Sequence, residues 1–140
     1  MKFLKSILKP VDIYAHCDIP CGIYDPISAK IAAQTVLKMA VRLEALDLSG
    51  GVTKVEQPNG VARLIRVKED HAEIVRNELD ILWHDYFKPE HLENYPDLHE
   101  KVWSACKLGS SVKQGVDMKA AQDFKAAIEE IGNIFWETKK

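Results

Sequence analysis

Eleven consecutive residues hold the densest chemistry of the chain: His16-Cys17-Asp18-Ile19-Pro20-Cys21-Gly22-Ile23-Tyr24-Asp25-Pro26. Two of the three cysteines, one of the five histidines, two prolines and a glycine fall within them. Cysteines four apart could share one face of a helix, but Pro20 removes a backbone donor and clashes with the preceding turn. Gly22 is a second breaker, so a turn brings Cys17 and Cys21 together better than a helix does. Thiolate sulfur with imidazole or backbone nitrogen suits zinc, copper, nickel or iron, and suits magnesium or calcium poorly.

Closed zinc sites commonly use two paired ligand spacings. Here there is one pair, and the remaining cysteine, Cys106, lies far along the chain in a helical pattern. Main-chain nitrogen is another way to complete the set. A cut before His16 would free an α-amine beside the imidazole, the Cys17 amide and the two thiols. Amine, amide and two thiolates in a plane are the tetragonal set favoured by Cu(II) or Ni(II). By spacing alone a metal site, a disulfide and two free thiols all stay open.

The run His16 to Tyr24 matches His-Cys-Asp-x-Pro-Cys-Gly-x-Tyr without a gap, and at these residues the chain resembles the nickel superoxide dismutase family. The resemblance continues through Leu82-Trp83-His84-Asp85-Tyr86-Phe87-Lys88-Pro89 and Tyr95-Pro96. It ends in Ile134-Phe135-Trp136-Glu137-Thr138-Lys139-Lys140 and so spans essentially everything after residue 15. It implies a redox-active nickel ion, one per subunit, that disproportionates superoxide to dioxygen and hydrogen peroxide.

The resemblance also assigns roles. Cys17 and Cys21 supply thiolates, the His16 amine and the Cys17 amide complete the plane, and the His16 imidazole is the axial ligand. Pro20 shapes the turn through a cis bond from Ile19, and Asp18 and Tyr24 hold the hook by hydrogen bonds. Tyr24 and Tyr86 limit access to the open side of the metal. Two positions depart from the family pattern: Ala32 replaces a glutamate and His71 an arginine that orient the axial imidazole. His71 can still hydrogen-bond, so it is expected to take over part of the arginine's role. The family assembles as homohexamers with each hook held against a neighbour.

The rest of the chain has to position that loop. Its 140 residues suggest one domain, and 29% charged with 46% apolar residues is ordinary for a globular protein. A net charge of −2 gives no basic field for nucleic acid, and three cysteines do not make a disulfide scaffold. A reducing compartment fits thiols that must stay available, and the resemblance points to a bacterial cytoplasm. Residues 1–15 are basic through Lys2, Lys5 and Lys9 and are interrupted by Pro10. They lack the apolar stretch of a secretory signal, and no later stretch is long enough for a membrane span. The resemblance implies that a maturation peptidase removes this leader between Ala15 and His16. The remaining 125 residues would lose three lysines and Asp12, taking the net charge to −4.

Asp25-Pro26 is a good helix start, with Asp as N-cap and Pro at the first position. A first helix is expected over 27–48, with Ile27, Ile31, Val36, Ala40 and Leu43 at apolar positions, ended by Gly50-Gly51. After a loop to Asn59-Gly60, a second runs from about Val61 to Tyr86 on Leu64, Val67, Ile74, Ile81 and Leu82, closed by Lys88-Pro89. His71 falls on or beside that stripe, where a lone histidine reads first as a hydrogen-bonded core residue. A third opens near Pro96, carries Leu98, Val102 and Cys106, and ends at Gly109. The fourth runs from about Asp117 to Trp136 on Ala120, Phe124, Ile128, Ile131 and Phe135. Trp83, Trp103, Trp136 and Phe87 read as core or interface anchors, with core the better reading for each alone. Lys88 is the lysine best placed to steer an anion, although a solvated helix-end lysine explains it as well.

The expected fold class is therefore all-α, an antiparallel up-down four-helix bundle behind an irregular N-terminal metal-binding hook. Two other functions compete with the dismutase. One is a carrier that binds metal through the Cys17/Cys21 loop without turnover, and the other is a helical module with a regulatory disulfide. A carrier needs neither Tyr24 nor a freed histidine amine.

Overall fold

A computed structural model describes residues 22–46 and 56–140. Helix α1 spans Ile27–Glu44 and α2 spans Glu56–Ile81, continuing through a π-turn at Leu82–Tyr86. A short α3 covers Pro89–Asn94, and α4 (Leu98–Gln114) and α5 (Met118–Thr138) complete the chain. No strand occurs among the described residues. The main packing runs α1 on α2, α2 on α4, α4 on α5 and α5 back on α1. Each long helix thus lies beside its predecessor and successor, as in an up-down four-helix bundle. Paired contacts fix the antiparallel sense: Lys101 and, further along α4, Gly109 face Glu130 and, earlier in α5, Phe124. Lys113 at the end of α4 likewise pairs with Glu73 in α2.

Phe124, Ile128 and Ile131 of α5 are buried against Val36 of α1, Val75 and Leu79 of α2 and Leu98 of α4, and Phe135 is buried in a second, smaller cluster. Burying each large side chain contributes about 1.5–3 kcal/mol. The α5 start follows expectation, because the Asp117 carboxylate accepts from the amides of Lys119 (2.8 Å) and Ala120 (3.1 Å). At the start of α1 the expected register is shifted by one: Pro26 is the N-cap residue and Ile27 the first helical position, with Asp25 accepting from the Ile27 amide at 2.8 Å.

Several expected faces are corrected. In α1 the core side is Ala29, Ala32, Ala33, Val36 and Ala40, whereas Ile27 and Ile31 are 54% and 59% exposed. Small residues let α1 sit close against both neighbours, which turns the larger isoleucines outward. In α2 the buried residues are Lys68, Ala72, Val75 and Leu79, leading on to Leu82, which is buried as expected, whereas Ile74 is exposed and Leu64, Val67 and Ile81 are half-buried. Trp103 and Trp136 are not core residues, at 57% and 45% exposed. Trp83 and Phe87 are half-buried against the core.

Helix limits differ too. Helix α2 begins at Glu56, with Pro58 in a first turn whose amides have no helical partner anyway. Helix α4 passes through Gly109 instead of ending there. A Cβ at Gly109 would lie 3.2 Å from Arg76 Cγ and 3.3 Å from Phe124 Cε2, so this glycine permits close approach. Pro89 ends one helix and also opens α3, in the first position where proline is tolerated.

Candidate metal centre

The described chain begins at Gly22, whose φ of +65° lies in the left-handed region that glycine adopts without a Cβ clash. Two residues later Tyr24 is 9% exposed, with Leu82 and Phe135 in the same small cluster. Its ring centroid lies 5.5 Å from that of Tyr86, at an interplanar angle of 54°. The two tyrosines singled out from the sequence are thus brought together, Tyr24 standing three residues after Cys21 in the sequence. His16, Cys17, Asp18, Pro20 and Cys21, and the expected cis bond before Pro20, lie outside the described residues.

Tyr86 is positioned by the π-turn. The Phe87 amide donates to Leu82 O at 2.9 Å, a five-residue step that shifts the following residues relative to a regular helix. Tyr86 then packs 4.4 Å from Phe135 and stacks on His91 at 5.6 Å and 27°. Its phenol oxygen lies 2.7 Å from Thr138 Oγ1. His91 was not singled out in the sequence, although its place three residues after Lys88 at a helix start is a capping signal. The Lys88 amide donates to His91 Nδ1 at 3.2 Å. Burial lowers the His91 pKa, with Lys88 adding to the effect and Glu90 opposing it. A neutral ring accepting at Nδ1 carries its proton on Nε2.

The C-terminal residues close over this group. Lys139 Nζ donates to Tyr24 O at 3.3 Å and stands 4.8 Å from the Phe135 centroid and 5.6 Å from that of Tyr86. Tyr95 donates to Glu137 at 2.6 Å. Beside Tyr24 is a cavity of about 170 Å³ lined by Ile23, Tyr24, Asp25, Glu78, Ile81 and Leu82. Glu78 is its one glutamate, and nothing in the motif pointed to it. Seven residues before Glu78 on the same side of α2 is His71, about two turns along the helix. His71 is half-buried and its Nδ1 lies 2.8 Å from Val67 O. A carbonyl can only accept, so Nδ1 bears the proton and Nε2 is the remaining acceptor of the neutral ring. Ala32 is buried on α1 and offers no side-chain polar atom. His71 is not among the residues touching the tyrosine pair.

No group of three or more His, Cys, Asp or Glu among the described residues is arranged to hold a metal. The residues expected from the sequence to offer metal donors, His16, Cys17 and Cys21, bring an imidazole and two thiols within six residues. That soft, nitrogen-bearing set suits nickel. Residues 11–139 match the family model described as nickel-containing superoxide dismutase.

The chain belongs to the nickel-containing superoxide dismutase family.

Among curated members, the nickel superoxide dismutase of Streptomyces seoulensis is 41% identical over 130 residues, covering 93% of this chain and 92% of the relative. That of Streptomyces coelicolor is 38% identical over the same share of each. A solved nickel-containing superoxide dismutase, with ligation of the partially X-ray-reduced state, superposes with a TM-score of 0.76 at 40% identity. It covers 89% of this chain and 98% of the other. A native nickel superoxide dismutase structure gives 0.75 at 38% identity, covering 89% and 100%. The helical fold expected from the sequence is therefore the family's fold. No helix among the described residues is long and apolar enough to cross a membrane.

Proposed function

We propose that His16, Cys17 and Cys21 hold one nickel ion per chain after proteolysis between Ala15 and His16, with Tyr24 and Tyr86 controlling access to it. The family match carries the activity: the chain is an oxidoreductase acting on superoxide with nickel as cofactor. When bound, nickel supplies the one-electron couple by which one superoxide becomes dioxygen and another, with two protons, hydrogen peroxide. The thiolates of Cys17 and Cys21 donate electron density that favours the higher oxidation state. Freeing the His16 amine adds a nitrogen donor that a peptide bond denies.

The observation that supports the access role is the Tyr24–Tyr86 contact at 5.5 Å, directly behind Gly22. Two phenol rings at the base of the hook narrow the approach to a small anion, and Asp18 and Pro20 are assigned to hold the loop's shape. His71 acts from further along α2, through its Nε2, in place of the family's arginine. Lys88 and Lys139 add positive charge on the side an anion would approach.

The assembly is proposed to be a homohexamer in a bacterial cytoplasm. Ile23, Ile27, Ile31 and Ile74 are exposed apolar residues that support burial against a second copy. The carrier reading is not favoured by a family match over residues 11–139. The test is metal content of the chain beginning at His16. Cys17→Ser and Cys21→Ser are each expected to reduce nickel from about one per chain to near zero, because serine replaces a soft thiolate by a hard oxygen. Full nickel in either variant would contradict the ligand assignment.

A further inference from the structure

We propose that Thr138 and Lys139, at the C-terminal end of α5, are positioning residues for the Tyr24–Tyr86 pair. The proposal rests on the reading of that pair as the access element. Thr138 has one hydroxyl proton, and its Oγ1 donates to Phe135 O at 2.7 Å. In the 2.7 Å contact between Tyr86 and Thr138, the phenol must therefore be the donor. The resulting chain runs Tyr86 O–H to Thr138 Oγ1, then Thr138 O–H to the Phe135 carbonyl. The Tyr86 proton is committed to the scaffold, and only lone pairs of its oxygen are left to face the substrate side.

Lys139 fixes the other member. Its ammonium donates to the carbonyl of Tyr24, 115 residues away in sequence, at 3.3 Å. It also stands 4.8, 5.6 and 5.9 Å from the centroids of Phe135, Tyr86 and Trp136, within the range of cation–π attraction. One charge thereby ties the Tyr24 carbonyl to the ring against which Tyr24 packs. Glu137, bonded to Tyr95, holds the same last turn from the α3–α4 side. Two tyrosines, one before α1 and one at the end of the π-turn, thus take their spacing from two adjacent residues at the end of α5.

The first test uses the metal-free full chain. A slowly exchanging Tyr86 hydroxyl proton is expected in its NMR spectrum, abolished by Thr138→Val and restored by Thr138→Ser. Lys139→Met is expected to weaken the ring-to-ring NOE between Tyr24 and Tyr86, with Lys139→Arg restoring it. A wild-type chain without that hydroxyl signal, or a Tyr24–Tyr86 NOE indifferent to Lys139→Met, would overturn the proposal. In the nickel-loaded enzyme, Thr138→Val should lower kcat/KM about tenfold at unchanged nickel content, and Thr138→Ser should rescue it. Equal kcat/KM would overturn the positioning role. A chain that takes up no nickel would count against the proposed metal site, while the metal-free measurements still decide on Thr138 and Lys139.

Discussion

His71 is a residue whose hydrogen bonding narrows its chemistry. With Nδ1 bonded to Val67 O, the ring is oriented by its own helix and presents Nε2 as its second functional atom. An arginine offers five donors and no acceptor, whereas this histidine offers one nitrogen of either kind. It can therefore orient a second imidazole by a single hydrogen bond, without a bidentate clamp. His71→Ala is expected to lower turnover about tenfold and to change the spectrum of the oxidised metal, in the range typical for loss of a supporting partner. Unchanged turnover with an unchanged spectrum would remove His71 from the site. The residue types of the hook were legible from the sequence because His16, Cys17, Pro20, Cys21 and Gly22 fall within seven residues. The partners of Tyr86 were not, because Thr138 and His91 meet it only through tertiary packing. Glu78 was equally hidden, as a glutamate on a long charged helix has no local mark.

At the level of elements, helix termini and close approaches decide where the bundle is firm. Lys68 is 2% exposed and its Nζ donates to Val112 O and Gly115 O, each at 2.5 Å, at the C-terminal end of α4. Burial pushes its pKa down, partly opposed by Glu69. The charge sits at the negative end of the α4 dipole and satisfies carbonyls that the helix leaves open. Lys68→Met keeps the stem and removes the cap, so a loss of about 1–3 kcal/mol is expected in urea denaturation. A variant as stable as wild type would show that water replaces the ammonium at no cost. The sequence conveyed where α5 begins, and α1 to within one residue, since Asp117 and Asp25 accept from the first amides locally. It misplaced the end of α4 because Gly109 reads as a terminator until its contacts with Arg76 and Phe124 are known. The π-turn at Leu82–Tyr86 left no sequence signature, yet it aims Tyr86 at Phe135. The faces of α1 and α2 were misjudged for a related reason: alanines, not isoleucines, line the closest packing.

For the whole molecule, the four long helices form a rigid frame whose one end gathers Tyr24, Tyr86, Phe135 and the C-terminal residues. The all-α class was legible because each helix has its own apolar period and punctuation. The exposed positions of Trp103 and Trp136 were not, since a lone aromatic does not say which side of a helix faces the core. The central claim is that a chain starting at His16 becomes a nickel redox enzyme on this frame. It is tested most directly by intact mass, metal content and superoxide turnover of protein from cells supplied with nickel and the maturation peptidase. The account predicts a mass beginning at His16, about one nickel per chain, and turnover that rises with nickel occupancy. A chain that begins at His16 and takes up no nickel would contradict it.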